Sequence, residues 1–241
     1  MDGVTETAVV PEQEVVARPP QVVSCFWVYR LRGSWRLLDR DARRAGLEAA
    51  AEEVRTAEAR GGLKLRGAYS LTGLRADADL MLWLLSDDVD NLRSLAVALR
   101  RTSLGDHLEV RDTLLGLAAG SEYDPDHRPA FAREEPPRRY AAVYPFVKKP
   151  EWYLLPFETR RELMAEHGRA GREYNVAANT VRSFGLGDAE FVVALEADRL
   201  EDLVDCVDGL RRVGVREYTA VDTPIYLGRL QSLDAALAEL S

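Results

Sequence analysis

Cysteine and histidine are scarce in this chain: two of the first and three of the second among 241 residues. Cys25 and Cys206 stand far apart in unrelated contexts, which argues against a disulfide framework or a Cys-rich metal site and for a reducing compartment, the cytoplasm. His107, His127 and His167 are too few and too scattered for a polynuclear centre, although one axial ligand to a prosthetic group needs only one of them. No apolar run approaches the roughly 20 residues of a membrane-spanning helix. The N-terminus has no basic start leading into an apolar stretch, so no secretory signal is expected either. Basic residues are outnumbered by acids, and the net charge of -8 argues against a nucleic-acid partner, whose phosphates call for clustered Lys and Arg.

What the chain does have is apolar content, 46% of residues, enough for a substantial core. Residues 1–20 are polar, end in Pro-Pro and show no sustained period, so a disordered tail is expected there. Beyond it lies an internal repeat. Displaced by 111 positions, DADLMLWLLSDDVDNLRSLAVALRR (Asp77 to Arg101) aligns without a gap on DAEFVVALEADRLEDLVDCVDGLRR (Asp188 to Arg212). Each copy reads as a strand, an acidic turn and an amphipathic helix, and the shared pattern over both elements indicates a duplication. Neighbouring elements fall into rough register at the same offset. The long helix from about Asp39 to Arg60 meets one from about Pro156 to Ala178, and the strand at Cys25–Leu31 meets Ala141–Val147. Each half is therefore β-α-β-β-α-β, the ferredoxin-like order. The expected class is α+β, with two such halves forming a dimeric α+β barrel within one chain: residues 21–117, a connection at 118–139, and residues 140–241.

The halves differ in chemistry. The first long helix carries neither His nor Tyr, whereas the second, LPFETRRELMAEHGRAGREYNVAA, places Leu163, Met164, His167, Gly171, Tyr174 and Ala178 on one face. An inward histidine next to a residue without a side chain leaves room for something flat. On spacing alone, however, an ordinary hydrogen-bonded core histidine is favoured. In the preceding strand Tyr144, Phe146 and Lys148 share a face at period two. They could line a pocket for a flat anionic aromatic, or form an aromatic core strand ending in a solvated lysine pair. His127, in the Pro-rich connection, is either an exposed loop residue or a general base titrating near neutrality.

The strings YPFVKKPEWYLLPFETRRELMAEHGRAGREY and SEYDPDHRPAF resemble the chlorite dismutase superfamily, and within it the actinobacterial branch of coproheme decarboxylases. The resemblance implies that His167 is the axial ligand to a porphyrin iron, Tyr144 the redox-active tyrosine and His127 the distal base. It implies that Lys148 contacts substrate propionates, that Tyr144, Pro145, Phe146, Val147 and Lys148 run along the macrocycle, and that Arg172 has a propionate or structural role. The implied reaction is the hydrogen peroxide-dependent decarboxylation of two propionates of iron-coproporphyrin III (coproheme) to vinyl groups. Coproheme is both substrate and redox centre, and the product is haem b. A homopentamer in transient contact with the coproporphyrin ferrochelatase is implied as well. The alternatives are chlorite dismutation, another haem-dependent peroxidase, a non-catalytic haem-binding protein, or a ferredoxin-like barrel for an organic ligand without iron. Chlorite-dismuting members carry an arginine thirteen residues after the axial histidine, where this chain has Thr180, with Arg182 two residues on. A plain haem carrier would keep His167 but need neither Tyr144 nor His127.

Overall fold

A computed structural model describes residues 21–118, 120–124 and 128–241. The tail expected at residues 1–20, and His127, lie outside the described residues. The first half runs β1 (Val23–Leu31), α1 (Arg40–Ala59), β2 (Leu63–Ser70), β3 (Leu80–Ser86), α2 (Val89–Arg100), α3 (Ser103–His107) and β4 (Leu108–Leu117). The second runs β5 (Tyr140–Lys148), α4 (Pro150–Leu154), α5 (Phe157–Gly171), β6 (Ala177–Arg182), β7 (Phe191–Ala197), α6 (Leu200–Leu210), β8 (Thr219–Val221) and β9 (Tyr226–Gln231), and α7 (Leu233–Ala238) ends the chain. The expected β-α-β-β-α-β order thus appears twice, with short helices added.

Within each half the strands pair antiparallel in the ferredoxin-like order, β4-β1-β3-β2 and β6-β7-β5-β9. The two sheets join at both edges, through β2 with β9 (Ala68↔Gln231 to Ser70↔Arg229) and β4 with β6 (Leu117↔Arg182), so eight strands close on themselves and no long edge is left unpaired. Alternation then sends one set of side chains inside the ring and the other outward to the helices. The inside is a mixed cluster: Phe26, Met81 and Trp83 from the first half meet Val143, Val192 and Tyr226 from the second.

At the centre of this interior sits a carboxylate. Glu196 of β7 is 0% exposed and accepts a 2.6 Å ion-pair hydrogen bond from Arg66 of β2. Its remaining lone pairs are taken by Asn179 Nδ2 of β6 (2.9 Å), the Tyr69 hydroxyl of β2 (3.2 Å) and the Arg138 backbone N–H (3.3 Å). A buried charge is tolerated only when paired and hydrogen-bonded in this way. The same groups fasten the connection, since Asn179 Oδ1 accepts the Phe131 N–H at 2.9 Å and Arg66 donates to the Glu135 carbonyl at 2.9 Å.

The outer faces are filled unequally. Helix α1, capped by the Asp39 carboxylate on the Ala42 N–H, buries Gly46, Ala50, Ala51 and Val54, and the core beneath it extends to Ala236, Leu237 and Leu240 at the chain end. Helix α5 buries none of its residues, and the outer cluster of the second half, which packs on α6, has only Ala142, Leu195, Ala197 and Leu203 fully covered. Helix α5 is also shorter than the sequence period suggested. It stops at Gly171, so Tyr174 and Ala178 leave its face: Tyr174 packs against Gly209 of α6, where a Cβ would lie 2.2 Å from its hydroxyl, and Ala178 joins β6. Two glycines in the last turn weaken the helix, and the chain must turn there to pair β6 with β7. We predict that Glu196→Ala lowers unfolding free energy by about 3–5 kcal/mol, because it strands the Arg66 guanidinium; urea denaturation followed by circular dichroism measures this.

Candidate functional site

Strand β5 carries most of the side chains expected to do chemistry, and its position between β7 and β9 determines which way they face. Ala141 and Val143 belong to the barrel interior, while Tyr140, Ala142 and Tyr144 belong to the outer cluster, with Leu203 and Val207 of α6. Tyr144 is half-buried. Burial pushes its phenol up to about 12, with Arg211 pulling the other way, Asp222 and Cys206 pushing it higher, and Arg216 lowering it. At neutral pH it is an un-ionised phenol with a hydrogen to give. Asp222 binds both Arg211 and Arg216, the latter at 2.6 Å, so the charges nearest the phenol are locked to one another.

Lys148 ends the strand and is 8% exposed. Its ammonium lies 4.2 Å from the centroid of the Trp152 ring and 5.3 Å from that of Phe146, a cation–π seat rather than an ion pair. Among the described residues no carboxylate comes within ion-pair distance of it. Burial brings its pKa down to about 8, with Glu190 acting to raise it. A buried ammonium held by two rings and lacking a counter-ion is suited to an anionic ligand.

His167 lies half-buried near the C-terminal end of α5. The helix is docked through Glu166, which accepts the Gly214 N–H at 3.1 Å, and through Leu163 beside Gly214. Its first turn is held by the connection. Arg160 donates to the Tyr123 hydroxyl at 3.0 Å and pairs with Glu122 at 3.0 Å, while Tyr123 stacks on Phe157 with centroids 5.8 Å apart. The segment preceding His127 therefore reaches α5, and the segment following it is tied to Asn179 and Glu196.

Tyr144, Phe146 and Lys148 lie on β5, with Pro145 opposite Val192 and Val147 opposite Val221; the register shifts between Val147 and Lys148, which interrupts the period-two alternation expected to put all three on one face. Arg172 is exposed at the C-terminal cap of α5, with its guanidinium back along Gly168. Thr180 and Arg182 are exposed on β6, and the Arg182 guanidinium sits 5.6 Å over the Phe184 ring. A groove of about 530 Å³ along the β2–β9 seam, lined by Arg66, Pro137 and Leu230 among others, includes none of the expected site residues. Three participants escaped sequence reading. Trp152 under the Lys148 ammonium and the Arg211–Asp222–Arg216 cluster left no periodic signal. Glu190 did leave one, because the 111-residue displacement sets it on Asp79, an acid on an acid at the head of the repeated strand.

Compared with known proteins, residues 43–231 match the family described as chlorite dismutase. The chain belongs to the chlorite dismutase family. It is 42% identical over 181 residues to the coproheme decarboxylase of Mycolicibacterium smegmatis, an actinobacterium, covering 74% of this chain and 78% of that one. It is 31% identical over 147 residues to the coproheme decarboxylase of Staphylococcus saprophyticus, covering 54% of this chain and 58% of that protein. Among solved structures, the fold superposes on chlorite dismutase from Candidatus Nitrospira defluvii in complex with imidazole with a TM-score of 0.82 at 27% identity, over 91% of this chain and 94% of that one. A mutant of the same enzyme gives 0.83 at 28% identity, over 91% and 95%. Membership of the chlorite dismutase family accounts for the paired ferredoxin-like halves. Within this member the loosely seated α5 has a measurable consequence. Without ligand, the amides of α1 should exchange with solvent more slowly than those of α5 by about tenfold or more, equivalent to about 1.4 kcal/mol in opening free energy, by hydrogen-exchange mass spectrometry.

Proposed function

We propose that this chain is a coproheme decarboxylase of the actinobacterial type, which uses hydrogen peroxide to convert two propionates of iron-coproporphyrin III to vinyl groups and releases haem b. The observation that carries the assignment is the buried, ion-pair-free Lys148 on the strand of the un-ionised Tyr144, in the half whose long helix α5 buries none of its own side chains. A flat polycarboxylate suits that face. Its ring would complete the sparse cluster around Ala142, Leu195 and Leu203, and a carboxylate would supply the charge that Lys148 lacks. The similarity to proteins named coproheme decarboxylase supports the same substrate class.

On this assignment His167 would hold the porphyrin iron through its imidazole, and Lys148 would anchor a propionate. Arg172 would serve a further propionate or the helix end, and Pro145, Phe146 and Val147 would lie along the macrocycle. When bound, the iron porphyrin supplies the redox chemistry. His127 would take the peroxide proton. Tyr144 would give up its phenolic hydrogen and recover one from the β-carbon of a propionate, after which carbon dioxide leaves and the vinyl double bond forms. Each propionate consumes one peroxide and one proton and yields one carbon dioxide and two waters. The proposal includes a cytoplasmic homopentamer that contacts the coproporphyrin ferrochelatase, as the family resemblance suggests; no helix among the described residues is long and apolar enough to cross a membrane. Chlorite dismutation is less well supported, because Thr180 stands where the arginine would be and Arg182 is engaged on Phe184.

Incubation with iron-coproporphyrin III and peroxide, followed by mass spectrometry, should show the loss of two carboxyl groups. Oxygen release from chlorite without that loss would overturn the assignment. Tyr144→Phe should bind coproheme yet release no carbon dioxide, and His167→Ala should alter the iron absorption spectrum. His127→Ala should slow peroxide consumption by about 100-fold or more with coproheme affinity retained.

A further inference from the structure

The two halves share a device at the start of their third strand. In the first half Asp79 donates its N–H to the Tyr29 carbonyl and receives the Leu71 N–H, and its carboxylate accepts the Leu31 N–H at 2.7 Å. In the second half Glu190 donates to the Phe146 carbonyl and receives the Ser183 N–H, and its carboxylate accepts the Lys148 N–H, also at 2.7 Å. The acid thus staples the end of the first strand of each half to the loop before the third. The glutamate has one methylene more than the aspartate. The same Oε2 also accepts the Tyr153 hydroxyl at 2.6 Å, which brings α4 into the staple. Tyr153 is the direct neighbour of Trp152, the ring beneath the Lys148 ammonium.

We infer that Glu190 is a positioning residue for the anion subsite at Lys148: its carboxylate fastens the Lys148 backbone and α4 together and, by its charge, keeps the buried ammonium protonated for a substrate carboxylate. This rests on the proposed contact between Lys148 and a propionate. The ammonium faces the Phe146 and Trp152 rings. The ionisable groups on the elements beside it are Glu151 and Tyr153 on α4, Arg216, Glu217 and Tyr218 in the 3-10 turn Gly214–Tyr218, whose Tyr218 ring packs on Trp152, and Lys149. The charge that raises the lysine against its burial is that of Glu190. Burial already brings the ammonium pKa down to about 8, so loss of the nearby negative charge lowers it further. A pKa moved further down means the cation, and the anion affinity it carries, disappears at lower pH.

Glu190→Gln separates charge from shape, because its amide oxygen still accepts both hydrogen bonds. Glu190→Asp keeps the charge and, as Asp79 shows, the reach to the backbone N–H. In ligand-free protein the Lys148 Nζ titration can be followed by heteronuclear NMR, with the signal assigned by its loss in Lys148→Met. Glu190→Gln should shift the midpoint down by about half a unit or more, and Glu190→Asp should stay near the parent. An unchanged midpoint in Glu190→Gln would overturn the inference and leave Glu190 a backbone staple like Asp79. In parallel, the Kd for iron-coproporphyrin III measured against pH should begin to rise at lower pH in Glu190→Gln. If the Lys148 midpoint falls but affinity does not follow, the propionate contact assigned to Lys148 fails and the electrostatic hold of Glu190 on the lysine stands.

Discussion

The Glu196 carboxylate is the point about which the two halves close. A charge with no solvent exposure costs several kcal/mol unless donors surround it, and the donors here come from three separate parts of the chain. Arg66 and Tyr69 come from β2, Asn179 from β6 and the Arg138 N–H from the end of the connection. Satisfying one side chain therefore fixes the relative placement of both sheets and the course of residues 128–138 across them. Specific pairing of this kind adds little net stability compared with a packed apolar centre, but it penalises every arrangement in which a donor is missing. The other end of the connection is held by Tyr123 and Glu122 on Arg160. The stretch that carries His127 thus runs between two anchored ends.

Given that frame, the difference between the halves is a difference of filling. Under α1 the sheet is covered by a continuous cluster that includes Trp35, Leu82, Leu84 and Leu95. In the second half the corresponding face offers alanines, half-covered tyrosines and valines, and α5 has no buried residue. Apolar area left open forgoes about 25 cal/mol per Å², so the second half gives up stability that the first half and the shared interior must supply. A ligand that covers the face returns that stability in proportion to its binding. The same openness leaves Tyr144 half-buried instead of sealed into the core.

The duplication made much of this legible in advance. The match of Asp77 to Arg101 with Asp188 to Arg212 set the element order of both halves, and the strand pattern brought Lys148 near Phe146. The barrel itself was expected from the duplication, but which edges join to close it was not legible, since β4 meets β6 through a single residue pair and no periodicity records which edges meet. The end of α5 was misjudged because the apolar spacing continues through Tyr174 and Ala178, whereas Gly171 and the need to pair β6 stop the helix. In the repeat, Asp88 caps α2 through its side chain, but the matching Arg199 gives α6 no such cap, and Glu201 and Asp202 supply a negative first turn instead. Trp152 could not be placed from sequence, because its contact with Lys148 depends on how α4 folds back over the end of β5.

The acid at the head of the third strand shows how one half of a duplicated fold acquires a site. In the first half Asp79 holds the backbone of Leu31, a residue that only packs. In the second, the same geometry holds the backbone of a lysine, and the longer side chain reaches Tyr153 as well. Nothing in the backbone plan had to change. A cation was set at the position the staple already fixed, and aromatic rings replaced its solvent. A negative charge already required for structure then lay close enough to govern its protonation. Coupling between strand end and charge is therefore a by-product of the repeat. It explains why a lysine can be buried here without an ion pair of its own: the carboxylate that stabilises it is spent on the backbone and on Tyr153, and acts on the ammonium only through space.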